Sequence, residues 1–350
     1  MSRFLKERYQ ALEAYTPGEQ PRDMEYIKLN TNESPYSPAP AVVAAMNSGE
    51  IERLRLYSDP TAKGLKEALA ELYALSAEQI FLSNGSDDIL NFAFMAYGQK
   101  GAIFPDITYG FYPVFAQLHG VEYQEIPLEQ DFSVNYKEYL NQNKLIVIAN
   151  PNAPTGMSIG LDAIEEILKS NPDGVVVIDE AYVDFGGKSC YKLIDRYENL
   201  LVVRTFSKSR CLAGGRLGYA FANAALIADL EKIKYSTNPY NINRLTLLLG
   251  KETAKADAYY TEKCGEIIKT RETTAQALEE MGFEVLPSDA NFLFARHPKI
   301  GGEQLYLQLK KRGILVRHFT KERIKDFNRI TIGTPKEMQT MISKIKEILL

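Results

Sequence analysis

Cysteine is scarce in this chain. Its three cysteines, Cys190, Cys211 and Cys264, show no CxxC spacing. That excludes a disulfide framework and a zinc ribbon, and it points to a reduced, intracellular protein of the cytoplasm. His119, His297 and His318 stand equally far apart, so no metal site is expected. No apolar run approaches the roughly 18–20 residues of a membrane span, and no membrane association is expected. The opening segment MSRFLKERYQALEAY is charged throughout and lacks the apolar centre of a secretory signal. Basic residues number 41 against 45 acidic ones, with no basic block, which argues against a nucleic-acid partner. No GxGxxG follows a strand, which sets aside a dinucleotide-binding oxidoreductase. Internal repeats and low-complexity segments are also missing.

The 350 residues suffice for about two domains with a sizeable core. Short apolar runs at 80–82 (IFL), 102–104 (AIF), 145–149 (LIVIA), 175–178 (VVVI) and 200–203 (LLVV) read as strands. Segments with helical spacing, DDILNFAFMAYG and GLDAIEEILKS among them, lie between these runs. This alternation predicts an α/β fold, a mostly parallel sheet with helices on both faces. In SDPTAKGLKEALAELYAL, Asp59 is the expected cap, Pro60 the first turn, and Leu65, Ala68, Leu69 and Leu72 the apolar stripe. The Pro-rich stretch 32–43 reads as a loop. After residue 245 the texture changes. One long helix over roughly 246–281 precedes strands, a helix and a final amphipathic helix, a smaller α+β domain. The expected division is 1–44 (an N-terminal arm that joins the small domain), 45–245 (large domain) and 246–350 (small domain).

Polar residues follow each predicted strand: Ser83 to Asp88, Thr108-Tyr109, NPNAPTG (150–156), Asp179 to Tyr182, and Arg204 to Lys208. In a parallel sheet these joints share the carboxyl edge, where α/β sheets bind ligands. Gly85, Ser86 and Asp87 open a helix and suit a phosphate. Thr205, Ser207 and Arg216 add hydroxyls and a charged fork. Tyr109 offers a stacking plane, Asp179 a carboxylate, and Lys208 an amine able to condense with an aldehyde. Gly214 and Gly215 are read as the tight turn between Lys208 and Arg216. A phosphorylated aromatic aldehyde whose ring nitrogen needs a carboxylate partner meets all these needs, and pyridoxal 5'-phosphate is such a molecule.

The motifs KLNTNESPYSPAP, YSDP, NGSDD, NPNAPTG, VVIDEAYVDF, RTFSKSRCLAGGRLGYAFA, ANFLFAR and FNRITIGT, in this order, resemble those of the histidinol-phosphate aminotransferase family. These are fold-type I pyridoxal-phosphate enzymes, and the resemblance covers nearly the whole chain. It implies that Lys208 anchors the cofactor and shuttles a proton. Asp179 pairs with the ring nitrogen, Tyr182 donates to the phenolic oxygen, and Tyr57 reaches the phosphate across a homodimer interface. It also implies that Arg329 clamps the substrate carboxylate and Arg317 its phosphate, with Tyr15 and Asn32 nearby. The family asparagine before Pro154 is Ala153 here, and Asn152 is expected to substitute by a small backbone shift. The implied reaction passes an amino group from glutamate to imidazole-acetol phosphate. Related alternatives are a threonine-phosphate decarboxylase of cobalamin synthesis and an aromatic or broad-specificity aminotransferase. A regulatory ligand-binding module would need a fused DNA-binding domain, which the sequence leaves no room for.

Overall fold

The computed structural model describes residues 4–10, 12–13, 15–46 and 49–350. Among these, twelve strands form two sheets: β1 (Ile27–Leu29), β2 (Ile80–Ser83), β3 (Ala102–Pro105), β4 (Tyr123–Ile126), β5 (Leu145–Ala149), β6 (Val176–Asp179), β7 (Leu200–Thr205), β8 (Gly218–Ala222), β9 (Glu284–Val285), β10 (Phe292–Arg296), β11 (Ile314–His318) and β12 (Asn328–Thr331). The larger sheet has the order β2-β8-β7-β6-β5-β3-β4. Strands β3 to β7 pair in parallel, and β8 runs antiparallel to both β7 and β2. The direction of β2 therefore matches that of β7. All five joints singled out in the sequence fall on one edge, and β4 and β8 are additions to the strands expected.

The continuous apolar runs are explained by burial on both faces. Ile146, Ile148, Ile178 and Val202 point into one core, and their neighbours Val147, Val177, Leu201 and Val203 into the other. The smaller sheet, β1-β11-β12-β10-β9, takes its edge strand from the N-terminal arm, with Ile27 to Leu29 in parallel register with Ile314 to Val316. Helix Pro335–Leu349 covers it through Met338, Met341 and Ile345, and begins in a capping box of Thr334 and Glu337 with Pro335 in its first turn. Phe132, Leu286, Phe294 and Phe327 fill the seam where the small sheet meets the large unit.

Four local expectations are corrected. The helix after Asp59 starts at Lys63, because Asp59 first closes a turn on Thr61 and then accepts the Lys63 N–H. Pro60 therefore precedes the helix. The loop at 32–43 ends early, since Pro40 opens a helix reaching Ala45. The long helix is two, Arg244–Lys255 and Asp257–Glu280, broken at Ala256. The first of them packs on helix Lys63–Tyr73, where Gly250 sits so close to Leu217 that an added Cβ would lie 2.4 Å from it. Texture and lobe thus do not change together at residue 245. The chain crosses between lobes along Asp257–Glu280, where Tyr260 packs with Ala39 and Val42 and Leu278 with the small-sheet core.

Candidate active site

The carboxyl edge of the large sheet and the inner face of the small one enclose two adjoining cavities, of about 390 and 460 Å³. They share Thr31, Tyr109, Ala153, Tyr182 and Lys208. The first holds Ser86, Asp179, Thr205, Ser207 and Arg216, and the second holds Tyr15, Asn32, Arg317 and Arg329. Tyr57 lies outside both, 78% exposed and stacked on Tyr240 at 4.5 Å.

Lys208 leaves the end of β7 and its Nζ donates to the Thr31 carbonyl at 3.0 Å. Burial, reinforced by the positive charges of Arg329 and Arg216, brings its pKa down to about 8. Asp179 ends β6. Its Oδ2 accepts from Tyr112 at 2.9 Å and its Oδ1 from the Ala181 N–H at 3.2 Å. Burial pushes its pKa up to about 6 despite these donors, and the nearby charges of Asp87 and Glu180 add to the rise. Burial thus drives both groups toward neutrality, which suits an amine nucleophile and a carboxylate awaiting a cation. Behind them, Arg204 bridges Glu180 (3.0 Å) and Asp184 (3.2 Å), and Ser209 donates to Asp184 (2.5 Å). This buried network fixes β6 and β7 in register beside Lys208.

The segment after β1 binds the two lobes together. Asn32 donates to the Tyr182 hydroxyl (2.9 Å) and is itself held by Thr331 (2.9 Å) and Asn291 (3.0 Å). Arg329 donates to the Asn30 carbonyl (2.9 Å), and its buried Nε has no hydrogen-bond partner among the described residues. Its guanidinium lies over Phe292 and Phe319, which leaves the fork facing the cavity as an anion receptor. Arg317 lies over the Phe319 ring (5.8 Å) and makes long hydrogen bonds, 3.4 Å each, to the carbonyls of Thr16 and Pro17. Tyr15 stacks on Phe111 at 4.1 Å beside Tyr109.

Helix Ser86–Tyr97 begins at the cavity with Gly85 at φ 86°, a conformation that favours glycine. Asp87 was expected to bind a ligand through its backbone. Its side chain in addition accepts from Tyr109 (2.7 Å) and Arg216 (3.0 Å) and so orients both, leaving the backbone role as it was. A phosphate fits this cradle: the helix N-terminus at Ser86 and Asp87, the hydroxyls of Ser86, Thr205 and Ser207 and the Arg216 guanidinium line one cavity.

A model for aminotransferase class I and II matches residues 24–345. The chain belongs to this family. It is 49% identical to a histidinol-phosphate aminotransferase of Brachyspira hyodysenteriae over 352 residues, which cover 100% of this chain and 99% of that one. A histidinol-phosphate aminotransferase of Marinomonas sp. is 51% identical, at 99% and 100% coverage. Among solved structures, the histidinol-phosphate aminotransferase of Sinorhizobium meliloti in complex with pyridoxal-5'-phosphate has a TM-score of 0.90 at 22% identity, covering 100% of this chain and 98% of that one. L-threonine-O-3-phosphate decarboxylase of Porphyromonas gingivalis also superposes, with a TM-score of 0.81 at 21% identity over 92% and 99% of the two chains. Likeness of fold therefore does not choose between these reactions.

One reading of the aminotransferase's sequence is corrected by its geometry. Asn152 does not replace the missing asparagine. Its amide donates to the Ile107 carbonyl (2.9 Å) and Thr155 (3.1 Å) and accepts from Thr108 (2.7 Å), so Ala153 faces the cavity and Asn152 braces the loop. Gly214 and Gly215 do lie in the expected tight turn, a single 3-10 turn over Ala213–Gly215, but neither has a positive φ. Cys211 (φ 55°) and Arg216 (φ 49°) carry the left-handed backbone. The glycine that matters is Gly218 on β8, where an added Cβ would stand 2.4 Å from the Gly85 carbonyl carbon and from the Ser86 nitrogen. Gly218→Ala should therefore displace the cradle, lowering stability by about 1–3 kcal/mol and weakening pyridoxal phosphate binding. Thermal unfolding and a cofactor titration check this, and unchanged affinity would show that Gly218 does not set the loop.

Tyr112, Thr31 and Asn30 were not singled out in the sequence. Tyr112 was within reach, three residues beyond Tyr109 in the sequence. Thr31 and Asn30 act through backbone carbonyls, which leave no signal in residue type.

Proposed function

We propose that this aminotransferase uses pyridoxal 5'-phosphate to transfer the amino group of glutamate to imidazole-acetol phosphate, giving L-histidinol phosphate and 2-oxoglutarate in histidine biosynthesis. The observation that carries the reading is one cavity holding a buried amine, a buried carboxylate and a phosphate cradle, next to a second cavity with two arginines. The cofactor fits: Gly85, Ser86, Thr205, Ser207 and Arg216 would hold its phosphate, Tyr109 its ring face, Asp179 its ring nitrogen and Tyr182 its phenolic oxygen. Bound there, it supplies an aldehyde for the amine and an electron sink for negative charge at the substrate Cα.

Lys208, whose lowered pKa of about 8 leaves a far larger neutral fraction near pH 7 than an ordinary lysine has, anchors that aldehyde and then moves the Cα proton. Arg329 orients the substrate carboxylate by a bidentate contact, and Arg317 takes the phosphate of the acceptor. Tyr15 and Asn32 close the substrate side and exclude water. We read the assembly as a homodimer with shared sites. Tyr57 projects from a segment whose Ile51, Leu54 and Leu56 are 48–56% exposed, an apolar surface a second copy would cover while placing Tyr57 at its phosphate cradle.

Mixing the loaded enzyme with glutamate in a stopped-flow spectrophotometer should bleach its visible absorption and release about one 2-oxoglutarate per subunit. Absence of both rejects transamination. Carbon dioxide from threonine phosphate would instead favour the decarboxylase, and a panel of keto acids distinguishes broader aminotransferases.

A further inference from the structure

Tyr112 is fully buried on helix Phe111–His119, its ring edge-on to Phe104 at 5.8 Å and to Tyr109 at 5.7 Å. Its hydroxyl donates to Oδ2 of Asp179 at 2.9 Å. We infer that Tyr112 is a positioning residue: it fixes the Asp179 carboxylate toward the cavity and favours its anionic form, ready for a cationic ring nitrogen. The inference rests on the cofactor proposed above.

The chemistry of the pair is one-sided. Burial and the neighbouring carboxylate raise the Tyr112 pKa well above its ordinary value, so its hydroxyl stays protonated and donates to Asp179. A donor to a carboxylate favours the charged form. The other groups around Asp179 pull both ways. The Ala181 N–H on its own turn supports ionisation, while Asp87 from helix Ser86–Tyr97 and Glu180 from the end of β6 oppose it. The Tyr182 hydroxyl, beyond that turn, accepts from the Asn32 amide. Tyr112 is thus the side-chain donor offsetting burial and two like charges.

Tyr112→Phe keeps the ring and removes only the hydroxyl. Wild type and variant are freed of cofactor and titrated with pyridoxal phosphate and with its 1-deaza analogue, in which CH replaces the ring nitrogen. We expect about a tenfold loss of affinity for pyridoxal phosphate in the variant, against about twofold or less for the analogue. The acid limb of pyridoxal phosphate binding should also move to higher pH, because a carboxylate without its donor protonates sooner. Equal losses for both ligands would reduce Tyr112 to packing and overturn the inference. Unchanged affinity and pH limb overturn it too, as does a variant that fails to fold, since the ring contacts are retained. Wild type that binds neither ligand would reject the cofactor reading itself. Wild type that prefers pyridoxal phosphate, with a variant that behaves identically, would reject only the role of Tyr112.

Discussion

Replacing Lys208 by methionine is expected to abolish amino transfer and, in the same variant, to stabilise the cofactor-free chain. The loss of rate should be at least about 10⁴-fold, since general acid–base catalysis alone contributes up to about that much and the covalent anchor is lost as well. The gain in stability follows from the pKa of about 8, against 10.5 for the unperturbed amine. Between these values the unfolded chain binds a proton that the folded chain does not, so stability rises with pH across that window. Below about pH 8 the full penalty applies, up to about 3 kcal/mol at about 1.4 kcal/mol per pH unit. Methionine matches the length of the lysine stem and carries no charge. At pH 7 the variant should therefore melt higher, by roughly 2–5 °C, and the advantage should vanish above about pH 10. Calorimetry of the two cofactor-free proteins at pH 7 and 10 checks this. A variant that transfers amino groups at even a hundredth of the normal rate removes Lys208 from the mechanism.

Arg329→Ala is the second large effect. Two charge-assisted hydrogen bonds to a carboxylate, each about 1.5–3 kcal/mol, translate to roughly a 10²–10⁴-fold loss of kcat/KM for glutamate. Arg329→Lys should recover only part, because an ammonium keeps the charge but not the planar fork. Arg317→Ala supplies the contrast. Its hydrogen bonds to the Thr16 and Pro17 carbonyls are long, and its loss should weaken the phosphorylated acceptor far more than glutamate. Steady-state kinetics with both substrates separate the two arginines. Equal losses for the two substrates in Arg317→Ala would reject its assignment to phosphate, and an unaffected KM in Arg329→Ala would reject the clamp.

Much of the site was legible because its chemistry demands particular residue types. Only lysine supplies the amine, and Asp179 closes an apolar run where a buried carboxylate has no structural excuse. The glycines were harder. Gly214 and Gly215 form the more conspicuous pair, yet no close backbone contact requires them, whereas Gly218 sits in an ordinary-looking strand against the Gly85–Ser86 turn. A glycine needed for close approach cannot be told in sequence from one that merely allows a bend. Asn152 misled for a similar reason: residue type shows that an amide is present, not that the carbonyl of Ile107 and the hydroxyls of Thr108 and Thr155 already satisfy it.

By itself the sequence determined the parallel sheet, through continuous apolar runs that only two-sided burial explains, and it placed the charged chemistry at the strand ends. Tertiary structure alone decided what those groups became. It brought Thr31 to Lys208, Tyr112 to Asp179 and Asp87 to Arg216 across 177, 67 and 129 residues of chain. Local patterning follows from which faces are apolar. Partners so remote in sequence are chosen by packing, and packing with burial shifts the lysine and the aspartate from their ordinary pKa values.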